Sequence, residues 1–252
     1  MRLRQLTQPN PVTINRKILV VLCAALLATI AERAEGQYTG AATNSGAYPG
    51  SATAMPSVTS AGRFDATGTT SLNKLVTDLK LGGYVIVLRH GATNADQADT
   101  DPFHLENISS QRLLSAQGRA DAAAVGDAFR KLGIPLGKVY SSEFNRATET
   151  AKLVSGKSVT TTPDLTEGGL VVSPAENARR AKVLRALATA APEAGANTLI
   201  VTHKPNILDA FGADWFNSKE GEASVFKPDG SNKLVLVARV QTADWIKAVG
   251  DR

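Results

Sequence analysis

One cysteine, Cys23, stands in a chain of 252 residues, so no intrachain disulfide can form. Aromatic side chains make up only 5% of the sequence. They do not interleave with a basic stripe, which argues against nucleic acid as a partner. No apolar run reaches the roughly 18 residues that a membrane-spanning helix usually needs, and no internal repeat is present. Charge of one sign is not gathered into blocks either. The formal net charge is +5, but residues 1–36 hold five basic side chains (Arg2, Arg4, Arg16, Lys17, Arg33) against Glu32 and Glu35. Most of the excess therefore belongs to that segment, and the remainder of the chain is near neutral with mixed charges.

What is present begins with a basic lead followed by Ile18 to Ala31, an apolar stretch of about 14 residues, the pattern of a secretory signal. Residues 1–36 are expected to be a signal peptide, with cleavage after Ala31 or Gly36. Export to the periplasm or the extracellular space follows. The alternative is an uncleaved anchor, the one route by which this sequence implies contact with a membrane. Leu22 before Cys23 fits a lipoprotein box poorly, and removal of the segment leaves no cysteine and no thiol nucleophile.

From 37 to 70 the sequence is rich in Gly, Ala, Ser and Thr without apolar periodicity, which reads as a flexible linker. A folded domain is expected over 71–252. Leu72, Leu75, Val76 and Leu79 have helical spacing, and Gly82 follows as a stop. Tyr84 to Leu88 is an unbroken apolar run between glycines, as in a strand buried on both faces. Ser115 is a candidate N-cap for a helix whose buried stripe is Ala122, Val125, Phe129 and Leu132 and which ends at Gly133. Lys138 to Ser141 reads as a strand, Asn145 to Val154 as a helix, and Thr198 to Thr202 as a buried strand. Ser173-Pro174-Ala175-Glu176 combines a capping box with proline at the first helical position. Ala223–Phe226 and Leu234–Ala238 flank Pro228-Asp229-Gly230, a hairpin signal that suggests an antiparallel edge strand. The alternation predicts one α/β domain, a three-layer sandwich around a mostly parallel central sheet.

Three strand tips hold the chemistry. Arg89-His90 ends one strand, Ser141 to Arg146 follows a second, and Thr202-His203-Lys204 ends a third. In a parallel sheet such tips share one edge, where open α/β sheets bind ligands. Arg146 falls in the first turn of its helix, where free backbone N–H groups favour an anion. Two guanidiniums and two imidazoles around one point describe a phosphoryl pocket.

The segments Leu88-Arg89-His90-Gly91-x-Thr93, Ser141-Ser142-x-x-x-Arg146-Ala147-x-x-Thr150-Ala151 and Val201-Thr202-His203 resemble the histidine phosphatase superfamily. That superfamily includes cofactor-dependent phosphoglycerate mutases, acid phosphatases and protein phosphohistidine phosphatases. The resemblance spans roughly residues 71–240 and implies a phosphoglycerate mutase-like fold. It also implies a phosphomonoesterase, which the expected signal peptide would export, with His90 as the nucleophile that becomes phosphorylated, and Arg89, Arg146 and His203 on the phosphoryl oxygens. His90 must attack as neutral imidazole, so its second nitrogen is expected to be held by a backbone carbonyl or an equivalent acceptor. Asp164-Leu165-Thr166-Glu167-Gly168 resembles the segment that supplies the proton donor in the mutase-like branch, which points to Glu167, with Asp164 and Asp96 as fallbacks. Repulsion by the phosphate favours the acid form of such a carboxyl.

This chain departs from that pattern in three places. Ala92 follows the glycine where many relatives have an acidic residue or glutamine. Asp96 replaces a phosphate-holding asparagine of the mutase-like members, so Asn94 is the expected substitute. Lys204 stands where the acid phosphatase branch has its acid. The alternatives to a hydrolase are a phosphotransferase or mutase of the same chemistry, and a non-catalytic phosphate-binding protein. The arginines supply the positive charge, so neither metal nor cofactor is expected. The partner is a small phosphorylated substrate or a phosphohistidine protein. His104 reads as a loop residue rather than the third member of a metal triad with His90 and His203. Arg112, Arg119 and Glu222 read as ordinary charges, although Arg112 could reach the pocket mouth. Trp215 and Trp245 read as packing residues, and the pocket mouth is expected from 94–112 and 160–173.

Overall fold

The computed structural model describes residues 59–60, 69–168 and 171–250. The expected signal peptide, 1–36, and all of the expected linker except Thr59–Ser60 and Thr69–Thr70 lie outside the described residues. Among the described residues, no helix is long and apolar enough to cross a membrane.

Strand β2 (Val85–Arg89) is buried along its apolar run, and its alternate side chains enter different clusters. Ile86 and Leu88 pack with helices α1 (Thr69–Lys80), α2 (Ala116–Leu132), α3 (Asn145–Ser155) and α6 (Thr242–Gly250). Val85 and Val87 pack with α4 (Pro174–Thr189) and α5 (Lys204–Phe211) on the other face. A strand covered on both faces needs apolar side chains at every position, which is why this run shows no alternation. Three layers result, as the sequence predicts.

The sheet has the order β1–β7–β6–β2–β5–β3–β4. Here β1 is Thr59–Ser60, β3 Leu136–Ser141, β4 Thr160–Thr161, β5 Asn197–Thr202, β6 Ala223–Pro228 and β7 Leu234–Val240. Strands β2, β5, β3 and β4 run parallel. The hairpin β6–β7 forms, but β6 also pairs antiparallel with β2 and is interior. The hairpin thus supplies the antiparallel pairing expected toward one edge of the sheet, with β6 on its inner side and β7 on its outer side. A hairpin signal specifies local pairing and says nothing of the next neighbour, whereas full burial of Ala223–Phe226 suits an inner strand. Thr59–Ser60 pairs parallel with β7, so two residues of the segment read as linker join the sheet.

Local signals are met at the helix ends. Ser115 Oγ accepts from the Gly118 amide, and Gly133 takes the left-handed conformation at φ 69°. Ser173 caps α4 by accepting from Glu176 N, yet the Glu176 carboxylate turns to Arg179 and Arg180. Only half of the capping box is made. Trp245 packs edge-on to Phe129, and Trp215 donates to Ser224 Oγ at 2.8 Å while packing against Phe226.

The loop behind β2 is fixed by a close approach to α2. Ala92 O accepts from Ser115 N, and a Cβ placed on Gly118 would lie 2.0 Å from that same oxygen. Gly118→Ala is therefore expected to destabilise the domain by about 3 kcal/mol, since backbone rather than a flexible side chain must yield. Urea unfolding checks this; a loss below about 1 kcal/mol would show that the loop moves freely.

Candidate active site

The C-terminal tips of β2, β5 and β3 lie side by side, because these three strands are parallel neighbours. Arg89 and His90 leave β2, His203 leaves β5 and opens α5, and Ser142 to Arg146 carry β3 into α3. The ring centroids of His90 and His203 are 5.0 Å apart. Both rings are buried, as is the whole of Arg146.

His90 Nδ1 lies 2.8 Å from the Gly91 carbonyl oxygen. A carbonyl only accepts, so Nδ1 carries the proton and Nε2 keeps its lone pair. The Gly91 amide donates to Thr150 Oγ1 at 3.0 Å, and that hydroxyl donates to Arg146 O at 2.7 Å. Thr150 lies four residues beyond Arg146 on the same face of α3, so one helix turn ties the histidine loop to the arginine.

Arg146 is held by Asp99 Oδ1 at 3.0 Å, by Arg112 O at 3.3 Å and by Glu167. Its guanidinium stacks 4.1 Å from the Phe144 ring centroid. Arg89 donates to Ser218 O at 2.7 Å and lies 3.5 Å from Glu220. His203 Nε2 meets Ser142 Oγ at 2.7 Å, and its Nδ1 lies 3.8 Å from Glu167 Oε2. Arg89 Nε, Arg146 Nε and His203 Nδ1 are buried without a hydrogen-bond partner among the described residues. Buried polar atoms are nearly always paired, so unpaired nitrogens in one cluster mark a place where an anion would be bound. This arrangement can hold a tetrahedral oxyanion beside a neutral imidazole.

Residues 85–173 match the sequence model of the histidine phosphatase superfamily, branch 1. That stretch holds the first two of the three strand-tip motifs, Leu88–Thr93 and Ser141–Ala151. No curated protein matches the chain. Similar solved structures include the protein histidine phosphatase SixA complexed with tungstate, at 18% identity, covering 64% of this chain and 98% of that one, with a TM-score of 0.45. Phosphoserine phosphatase from Entamoeba histolytica in complex with 3-phosphoglyceric acid also has 18% identity, covering 64% and 98%, with a TM-score of 0.46. The native mycobacterial glucosyl-3-phosphoglycerate phosphatase has 18% identity, covering 61% and 96%, with a TM-score of 0.43.

Within this domain, Arg89, His90, Arg146, Glu167 and His203 come together. Asn94 does not join them: its amide donates to Gln97 in an exposed contact, and its backbone N–H bonds to Leu113 O. The loop carrying it turns outward, with Asp96 exposed. Asp164 is taken up by Arg179 on the surface, which leaves Glu167 as the carboxyl of its segment that faces the histidines. His104 is exposed and pairs with Glu106 at 3.0 Å. Arg119 forms a two-pronged pair with Glu149. Glu222, read as an ordinary charge, is instead buried against Arg239, Gln241 and the Lys219 amide. Sequence alone assigns no role to Asp99 or Ser142. Asp99 sits in a polar loop with other acids and nothing local distinguishes it, whereas Ser142 stands inside the second motif.

Burial pushes the His90 imidazole down to about 3, with Arg146, Arg89 and Arg112 adding to the effect. Burial likewise holds His203 well below the usual histidine range, helped by its neighbour His90. Both rings are neutral at pH 7. An unfolded histidine titrates near 6.5, so the unfolded chain takes up protons that the folded domain refuses. The stability linked to the neutral rings is complete above pH 6.5 and is lost as pH falls toward 3. The slope is roughly 1.4 kcal/mol per pH unit for each such ring. The free energy of unfolding should therefore fall between pH 6 and pH 4, with a flatter fall in His90→Gln. Urea denaturation at several pH values measures this; identical slopes in the two proteins would show that His90 titrates as in water.

Proposed function

We propose that this domain hydrolyses phosphate monoesters through a covalent phosphohistidine on His90. The observation that supports it best is the pairing of a buried His90, its Nδ1 proton fixed on the Gly91 carbonyl, with unpartnered nitrogens of two arginines and a second histidine. In the first step His90 Nε2 attacks phosphorus, the P–O bond to the alcohol breaks, and the leaving oxygen takes a proton from Glu167. In the second, Glu167 accepts a proton from water as that water attacks phosphorus, the P–N bond breaks, and phosphate leaves. Dividing the reaction this way replaces one difficult displacement by two easier ones. Arg89, Arg146 and His203 bind the equatorial oxygens, where negative charge is spread in the transition state. The positive charge of the two arginines and the hydrogen bonds of all three serve these steps without metal or cofactor. The phosphate is handed to water rather than to a second alcohol.

Export is part of the same reading and rests on the basic lead and the apolar stretch from Ile18 to Ala31. The experiment is incubation of the full chain with phosphate esters in the presence of chelator, followed by acid quench and mapping of labile phosphate. Label on His90 with release of inorganic phosphate supports the reading. Turnover that requires an added divalent metal, or label on another residue, overturns it.

A further inference from the structure

A cavity of about 830 Å³ opens from the site just described. Its inner end is formed by Asp99 and Glu167, the two carboxylates on Arg146, and by Thr166, whose hydroxyl bonds to Ser142 beneath His203. That volume lies within the range of roughly 300–1,000 Å³ typical of pockets that enclose most of a small organic ligand. The walls come from residues within 99–106 and 161–168, from Val171 and Val172, and from Glu143, Phe144 and Arg180.

Its lining is apolar on several sides: Pro102, Phe103, Leu105, Phe144 and Val172. Leu105 is fixed because Gln111, a buried side chain, donates to its carbonyl and accepts from the Asn145 amide at the head of α3. Val172 is folded over Gly168 so closely that a Cβ there would lie 1.8 Å from Val172 Cγ2. The charge on the lining is mostly negative. Glu143 is exposed, with no ion pair among the described residues, and Glu106 meets only His104. The cation of the lining, Arg180, is already engaged by Glu176 at 2.9 Å and by Thr166 O at 2.8 Å.

In an in-line displacement the leaving oxygen departs on the side away from the attacking nitrogen. The acid that protonates it, Glu167, borders this cavity. The alcohol half of the ester therefore lies in the cavity, between apolar walls and beneath two carboxylates. Resting on the phosphatase reading above, we propose that the substrate is a monoester of a bulky apolar alcohol, of aryl size or larger, with no second anionic group. An alcohol bearing a carboxylate or a further phosphate would meet Glu106 and Glu143, whose exposed like charges each add a modest, solvent-screened repulsion at contact distance.

The test compares kcat/KM for 2-naphthyl phosphate, phenyl phosphate, 4-carboxyphenyl phosphate and the small reference acetyl phosphate. The expected order is naphthyl above phenyl, with 4-carboxyphenyl about tenfold below phenyl although its phenol leaves more readily. Phe103 is 75% exposed, so Phe103→Ala spares the fold. It should shrink the ratio of naphthyl to acetyl phosphate by about tenfold. Glu143→Lys should raise 4-carboxyphenyl phosphate relative to phenyl by about fivefold or more. Equal kcat/KM for the aryl esters, or a carboxylate that helps, overturns this inference while leaving the phosphatase reading intact. No turnover of any compound, acetyl phosphate included, overturns both.

Discussion

His90→Ala lowers kcat/KM for phosphate monoesters by at least about 10⁴-fold, because the nucleophile and the covalent intermediate disappear together. The residual arginines and His203 still attract phosphate, so the affinity for inorganic phosphate should change far less than the rate. Folding gives no reason to expect collapse. The His90 backbone N–H remains bonded to Thr202 O, and the Gly91 amide remains bonded to Thr150. Removing a buried polar ring also removes the cost of keeping it neutral and dry. Calorimetric titration with phosphate separates loss of chemistry from loss of structure. Turnover within tenfold of the parent protein, or an acid-labile label that persists in His90→Ala, would refute the phosphohistidine route.

The site could be anticipated from sequence to the extent that single residues report their own surroundings. The run from Tyr84 to Leu88 declares a strand buried on both faces, and the polar residue that follows it must stand at a sheet edge. The same logic applies at Thr202-His203. Arg146 and Thr150, four apart, necessarily share a face of α3, and that face proves to be the one against Gly91. What sequence could not supply is pairing between distant loops. Asp99 meets Arg146 across 47 positions of chain, with no periodicity or cap to announce it. Asn94 illustrates the converse. It is the expected substitute for the phosphate-holding asparagine that Asp96 replaces, but the loop direction is set by the bridge of Thr93 to Leu114 and by Ser115 holding Ala92. The hairpin likewise revealed β6 and β7 but not that β6 adjoins β2, because that pairing joins Val85–Leu88 to Ala223–Phe226 across more than a hundred residues with no local signal.

Glu167→Gln separates proton donation from electrostatic support. Glu167 does two things in this structure: it pairs with Arg146 and it lies 3.8 Å from His203 Nδ1. A glutamine can keep a hydrogen bond to Arg146 but cannot deliver a proton to a leaving oxygen. The effect should therefore depend on the alcohol. For benzyl phosphate, whose alkoxide leaves poorly, kcat is expected to fall about 10³-fold, within the usual span of general acid catalysis. For 4-nitrophenyl phosphate, whose phenolate needs no proton, the fall should be under about tenfold. Both alcohols carry an aromatic ring, so the comparison is not confounded by how well the cavity is filled. The pH profile adds a second readout, since the variant should lose the limb that reports the acid in the benzyl reaction. An equal loss with both esters would assign Glu167 to holding Arg146 in place, and the proton would then have to come from another group at the inner end of the cavity. Asp99 is the candidate there, because it is the other carboxylate on the same guanidinium.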